Sequence, residues 1–410
     1  MKPAVRNILF ITWDGPQTNY LERLFLPILA GLGDRGYRAH VLQFCWGEPA
    51  LIQHRADLCR AAGVPYRARI IQRRGGPIGP SLTAILGTRA IRRAVADWQI
   101  DTLMPRSLLP ALAVLRLRAA EQAVLNIVFD ADGLHADERV DFTGLSPTSL
   151  TYRFLRDIEM QMLLRADTVL TRTAASRDIL LARAGGGLTA DRCHLVSNGV
   201  DPAPFIRALA GPRPDPLPGA GPVLGYCGSI GAQYRLPDML DVAHRLRSRV
   251  PGLRFRVISQ ATDAVQAELA RRGLLQADWI DLRAPRPEDV PAELAGCDLG
   301  LALRLPAFST RAVLPIKLGE YLLAGLPVLG TPGVGNTAEL QAEGVFRSAE
   351  PGELDQSINW IVDTVLPARA ALRQTCHAIG LRDYSVAGAV ASYATALASL
   401  RQPNPAPEPH

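Results

Sequence analysis

Lysine is nearly absent from this chain: of its 45 basic residues only Lys2 and Lys317 are lysine, and arginine makes up the other 43. Aromatic residues are scarce as well, at 6%. With few rings to stack bases and no known binding motif beside the charge, nucleic acid is not an expected partner. No apolar run approaches the roughly 18–20 residues of a membrane span, and residues 25–33 are interrupted by Pro27. The apolar stretch 8–13 has the length of a strand and not of a secretory signal. A soluble, cytoplasmic protein is the expectation. The six cysteines (Cys45, Cys59, Cys193, Cys227, Cys297 and Cys376) form no Cys-x-x-Cys pair and show no regular histidine spacing, so they read as buried free thiols in a reducing compartment. Gly-x-Ser-x-Gly, Walker and His-Glu-x-x-His patterns are missing, which leaves covalent hydrolase, NTPase and zinc peptidase readings without support.

What is present is a long alternation. The chain has 410 residues, 48% of them apolar and 20% charged, enough for two or three domains with full cores. Short runs rich in Val, Ile and Leu alternate with amphipathic stretches, the pattern of parallel sheets covered by helices. Strands are expected at 7–13, 38–44, 66–71, 101–106, 124–130, 168–171 and 194–197, with helices over 19–35, 81–98 and 147–165. Residues 211–222 (GPRPDPLPGAGP), with five prolines, read as a linker. Further strands follow at 223–228, 254–259, 279–283, 299–303 and 327–330. The fold class is α/β: two tandem, doubly wound, Rossmann-like domains. The expected division is 1–205 for the N-terminal domain, 206–222 for the linker, 223–385 for the C-terminal domain, a helix at 386–401 returning to the first domain, and a disordered tail at 402–410.

Charge divides unevenly. Up to Phe205 there are 25 basic and 19 acidic residues, whereas the remainder has 20 of each, so the whole net charge of +6 sits in the first half. Arg60, Arg67, Arg69, Arg73, Arg74, Arg89, Arg92 and Arg93 concentrate it. Such a cluster attracts phosphates or an anionic membrane surface, or it is simply a solvated face.

The one lysine away from the N-terminus lies in residues 315–331 (PIKLGEYLLAGLPVLGT), which read as a helix carrying Lys317 and Glu320, closed by Gly325 and followed by a buried strand. A cation near a helix start, one loop from the end of a parallel strand, stands where open α/β sheets bind ligands, and the helix dipole there favours a phosphate. A chain that otherwise uses arginine has a compact ammonium at this position. A surface ion pair between Lys317 and Glu320 is the plainer alternative.

The order of motifs carries a resemblance. Pro315, Lys317, Glu320, Tyr321, Ala324, Gly325, Pro327 and Val328 resemble the donor-binding signature of the retaining GT-B glycosyltransferases of family four (glycosyl transferases group 1). Ser197-Asn198-Gly199-Val200-Asp201 with Phe205 resembles the segment before that family's interdomain crossing. Residues 223–229 (VLGYCGS) resemble its first C-terminal strand and glycine turn, and Arg165-Ala166-Asp167 with 168–171 its last N-terminal strand. The resemblance implies an interdomain cleft, a nucleoside diphosphate sugar as substrate, no cofactor and no metal. It implies donor contacts from Gly228, Ser229, Arg235, Lys317, Glu320, Gly335 and Asn336, with Glu320 on the ribose hydroxyls. The family's first glutamate is replaced by Ala312, and its diphosphate-binding Arg and Lys by Ser229 and Tyr234, which leaves Arg235 and Lys317 as the cations.

In the first half, Asp14 and Gly15 follow a strand and precede a helix, a place for an acceptor or for a plain turn. Asn198 is assigned to the cleft with them. Residues 130–138 hold four carboxylates and His135. Asp132 or His135 facing the acceptor hydroxyl or the transferring sugar is the sharper reading, making these two catalytic together with Lys317; solvated loop acids are the other. Glu159 reads as an intrahelical partner of Arg156. The expectation is a glycosyltransferase moving a hexose, with retention, onto a glycan or lipid-linked glycan in cell-surface polysaccharide or glycoconjugate synthesis, with its basic half on the cytoplasmic leaflet. An inactive nucleotide-sugar-binding or scaffold protein and a sugar-nucleotide epimerase are the alternatives.

Overall fold

A Val/Ile/Leu run too short for a helix satisfies its backbone in a sheet, and burial on both faces makes parallel pairing the outcome. The computed structural model describes residues 5–71, 78–212, 221–231 and 233–401. Arg73 and Arg74, most of the proline-rich stretch and the tail 402–410 lie outside the described residues. The chain makes two compact units: one runs through Gly199 and resumes at Val386, and the other is Val200–Ser385.

The first unit holds β1 (Arg6–Asp14), β2 (Tyr37–Cys45), β3 (Tyr66–Ile70), β4 (Thr102–Pro105), β5 (Asn126–Asp130), β6 (Thr168–Thr171) and β7 (Cys193–Leu195), all parallel, in the spatial order β3-β2-β1-β4-β5-β6-β7. The second holds β8 (Val223–Cys227), β9 (Arg254–Ile258), β10 (Ile280–Arg283), β11 (Leu299–Ala302), β12 (Val328–Gly330) and β13 (Phe346–Ser348), in the order β10-β9-β8-β11-β12-β13. Every expected strand is present within about two residues, and β13 is added. Both orders reverse direction once, between β1 and β4 and between β8 and β11. Loops on the two sides of such a reversal diverge and leave a crevice at the carboxyl edge.

The division of the chain differs from the expected one. The second unit starts at Val200, not after residue 205, because Phe205 is buried with Ile258, Leu294 and Tyr321 in that unit's core. Val200 N also donates to Tyr384 O at 2.8 Å. Residues 206–210, expected as linker, are the end of helix Ala203–Ala210. Helix Val386–Ala398 belongs to the first unit, where Ser197 N donates to Ser392 Oγ at 3.2 Å.

At the second reversal a single ring joins two strands. Tyr321, fully buried on helix Ile316–Leu323, accepts from Cys227 N of β8 at 2.8 Å and donates to Leu301 O of β11 at 3.1 Å. The ring lies flat on Gly300, where a Cβ would stand 2.6 Å from Tyr321 Cδ2. Glycine is the residue that lets a helix-borne ring approach a strand this closely.

Candidate functional site

Side chains with chemistry gather at the carboxyl edge of each sheet, and each unit is taken by itself. In the first, Asp14 ends β1, Arg106 directly follows β4, Asp130 ends β5 and Arg172 directly follows β6. Parallel strands put these ends side by side. All four residues are buried, which charged groups tolerate only when paired. Arg172 donates from Nη2 to Asp130 Oδ2 at 2.9 Å and to the Tyr393 hydroxyl at 3.1 Å, and from Nε to Asn198 Oδ1 at 3.2 Å. Arg106 donates to Asp132 and stands 3.9 Å from Asp14, its guanidinium 4.6 Å from the centre of the Phe25 ring.

Asp132, a predicted catalytic residue, is therefore a carboxylate between two guanidiniums, 3.4 Å from Arg172 on its far side. Burial pushes its carboxyl up, but Arg106, then Arg172 and His135, outweigh that and hold it below the usual range. Its φ of +56° is a left-handed conformation that costs a non-glycine residue about 1 kcal/mol, and strain of this kind concentrates at functional positions. His135 opens helix His135–Thr143 with Nδ1 3.8 Å from Glu138, and its buried Nε2 has no hydrogen-bond partner among the described residues. Asp14 accepts from Thr12 Oγ1 at 2.9 Å and Gln43 Nε2 at 2.8 Å. Gly15 is tied by its carbonyl to the buried Arg55 at 3.2 Å. Asp14, Asp132, His135 and Asn198 thus share one cluster around Arg106 and Arg172, two residues that motif reading passed over. Their signal was position: an arginine directly after each of two buried strands. The solvated-loop reading of 130–138 fails for Asp130, which is fully buried, and for Asp137, which pairs with Arg183 at 2.9 Å. Glu159 pairs with Arg156 as expected, and also with Arg183 at 3.0 Å.

In the second unit Gly228 follows β8, and its φ of +146° suits glycine alone. A Cβ there would lie 2.9 Å from Lys317 Nζ. The ammonium sits 4.5 Å from the centre of the Tyr226 ring and 4.4 Å from that of Tyr234, and 3.4 Å from the Tyr226 hydroxyl. Burial lowers its pKa to about 8; Cys227 and Glu320 oppose that shift and Arg304 adds to it. The surface-pair alternative for Lys317 and Glu320 is thereby set aside. Ser229 is exposed, and its carbonyl accepts from the Tyr226 hydroxyl at 2.5 Å. Glu320 is half-buried on the helix of Lys317. Gly335 has φ +75° and Asn336 accepts from the Tyr384 hydroxyl.

Arg235 differs from its expected role. It is paired with Asp238 and, at 2.9 Å, with Glu350 at the start of helix Leu236–Arg249, and two carboxylates neutralise the charge it was expected to offer a diphosphate. The second cation beside Lys317 is Arg304, two residues past β11, whose guanidinium stands 5.8 Å from the centre of the Tyr234 ring. Arg304 and Lys317 line one small cavity with Tyr234, Leu303, Thr331 and Val334. Ala312 is fully buried in the turn before the helix.

All six cysteines are free, five of them buried and Cys227 half-buried. Among the described residues no group of three or more His, Cys, Asp or Glu is placed to hold a metal ion, and no helix is long and apolar enough to cross a membrane.

Comparison with known proteins bears on both halves. Residues 21–204 match the family Glycosyltransferase Family 4. TuaH of Bacillus subtilis (strain 168), assigned as a teichuronic acid biosynthesis glycosyltransferase, is 28% identical over 230 residues, 55% of this chain and 54% of TuaH. The chain thus matches about half the length of that curated relative. Among solved structures, Anabaena Alr3699/HepE in complex with UDP superposes with a TM-score of 0.69 at 17% identity, covering 96% of this chain and 100% of HepE. HepE with UDP-glucose gives 0.64 at 19% over the same shares. A glycosyltransferase from Rickettsia africae ESF-5 gives 0.67 at 12%, covering 96% and 98%. The fold is GT-B, two Rossmann-like domains in one chain, and its residues 21–204 match Glycosyltransferase Family 4.

Proposed function

We propose that this protein is a glycosyltransferase that moves a hexose from a nucleoside diphosphate sugar to a hydroxyl of a glycan or lipid-linked glycan, in the assembly of a cell-surface polysaccharide or glycoconjugate. The observation that carries this reading is the ammonium of Lys317, held between two tyrosine rings at the sheet reversal of the second unit, beside the glycine turn that follows β8. A chain almost free of lysine keeps one where a leaving diphosphate needs charge. The match over residues 21–204 and the nucleotide-bound likeness of HepE support the same direction.

In the reaction the bond from the anomeric carbon to the β-phosphate oxygen breaks, the acceptor oxygen forms the new bond with retention, and the acceptor's proton leaves with the nucleoside diphosphate. Lys317 and the backbone N–H groups near Gly228 and Gly335 neutralise that leaving group, in place of a metal ion. Glu320 accepts from the ribose hydroxyls. Asp132 and His135 orient the acceptor hydroxyl, with Asp14, Gly15 and Asn198 shaping its surroundings.

The protein works on the cytoplasmic face of an anionic membrane. Support comes from helix Ile78–Trp98, where exposed Leu82, Ile85 and Leu86 share one stripe with exposed Arg89 and Arg93. Among the described residues Arg69, Arg89 and Arg93 have no carboxylate partner, whereas Arg60, Arg67 and Arg92 pair with Asp57, Asp97 and Glu121. Anionic vesicles should sediment with the protein in a salt-dependent way, and salt-insensitive or absent binding contradicts this placement.

Activity separates the readings. A labelled nucleotide sugar with an acceptor fraction should yield labelled glycan and free nucleoside diphosphate, and Lys317→Ala should abolish both while the protein stays folded. Binding without turnover would instead identify a sensor, the reading favoured by the buried Ala312, and isomerised donor without acceptor would identify an epimerase.

A further inference from the structure

Two like charges share one small cavity in the second unit. The guanidinium of Arg304 stands 5.8 Å, and the ammonium of Lys317 4.4 Å, from the centre of the same Tyr234 ring. No carboxylate lines the cavity among the described residues. Arg304 reaches it from a fixed base: its N–H donates to Thr331 Oγ1 at 3.0 Å, and Thr331 Oγ1 donates back to its carbonyl at 2.9 Å, so its backbone is anchored just past β12. Its Nη2 donates to Gln233 Oε1 at 2.6 Å, on the loop that carries Tyr234. Its Nε is buried and has no partner among the described residues. Clustered cations repel, and the lowered pKa of Lys317 reflects burial first, with Cys227 and Glu320 opposing it and Arg304 adding to it. Arg235, next to Tyr234, has its two carboxylates, whereas for this pair Glu320, on the helix of Lys317 and outside the cavity lining, acts on the ammonium alone among the described residues.

We infer that Arg304 and Lys317 form a two-cation clamp that takes the two phosphates of a nucleoside diphosphate and discriminates against monophosphates. This rests on the nucleotide-sugar reading above and names the second residue of its donor site. Each cation answers one phosphate: Lys317, at the foot of the glycine turn, as a point charge, and Arg304 as a planar donor with free N–H groups. A monophosphate engages one of the two and leaves the other uncompensated. The lysine also needs its proton to bind, so the groups facing it matter: Cys227 and Tyr226 from β8, Tyr234 from the following loop, Glu320 on its own helix and Arg304 past β11.

The test is calorimetric titration of UDP, GDP and ADP and their monophosphates into the full chain, wild type, Arg304→Met and Arg304→Lys, with folding checked by thermal melts. The wild type should prefer a diphosphate over its own monophosphate by tenfold or more. Arg304→Met should lose at least tenfold in diphosphate affinity with little change for the monophosphate, and Arg304→Lys should recover part of it. Equal loss for both ligands, or wild-type diphosphate affinity in Arg304→Met, overturns the clamp while leaving nucleotide binding intact. A wild type that binds no nucleotide at all overturns the nucleotide-sugar reading itself.

Discussion

Replacing Lys317 with methionine should stabilise the free protein and remove nucleotide binding at once. The ammonium's pKa falls from 10.5 to about 8, chiefly through burial. At about 1.4 kcal/mol per pKa unit that drop corresponds to a cost of about 3 kcal/mol at neutral pH. Its two ring contacts, roughly 0.5–1 kcal/mol each, return part of it. Methionine keeps the length and the apolar stem, so the expected net gain is on the order of 1–2 kcal/mol. The sign follows from proton binding. Between pH 8 and 10.5 the unfolded chain holds this proton more firmly than the folded one, so wild-type stability rises with pH across that window. The advantage of the variant is then full below pH 8 and disappears near 10.5. Urea unfolding at pH 7 and pH 9.5 measures it. A Lys317→Met protein less stable than wild type at pH 7 would refute the reasoning, because the ammonium would then be a structural contact. Diphosphate affinity of the wild type should fall about tenfold from pH 7 to pH 9 as the ammonium is lost, and in Lys317→Arg it should not vary with pH.

Other consequences are as specific. Arg172→Ala leaves the buried Asp130 without its guanidinium and should cost about 3–5 kcal/mol in urea unfolding; a loss below 1 kcal/mol would mean that the cluster is solvated. Gly300→Ala drives a methyl group into the Tyr321 ring and should cost about 1–3 kcal/mol, visible as a lowered melting temperature. Ala312→Glu, which restores the family's first carboxylate in sequence, should lower the melting temperature and add no activity, since the position is fully buried.

The strands were legible because parallel strands advertise themselves as apolar runs, and β13 was not, since Phe346-Arg347-Ser348 has a single apolar residue. The lysine helix was legible through rarity. Arginine offers no such contrast in a chain with 43 of them, so Arg106, Arg172 and Arg304 went unread although each stands at or just past the end of a strand. Arg235 is close in sequence to the glycine turn, but Asp238 on the next helical turn and Glu350, distant in sequence, neutralise its charge. The unit boundary was misplaced for a similar reason: nothing local reveals that Phe205 packs into the second core.

The central claim is that the second unit binds a nucleoside diphosphate through Lys317. Thermal melts with UDP, GDP and ADP, each at about 1 mM, test it most directly. A ligand at 100 times its Kd adds about 2.7 kcal/mol to the folded state, a shift of several degrees. At least one nucleotide should raise the melting temperature of the wild type and leave that of Lys317→Ala unmoved. No shift with any of the three, or equal shifts in both proteins, would contradict the account.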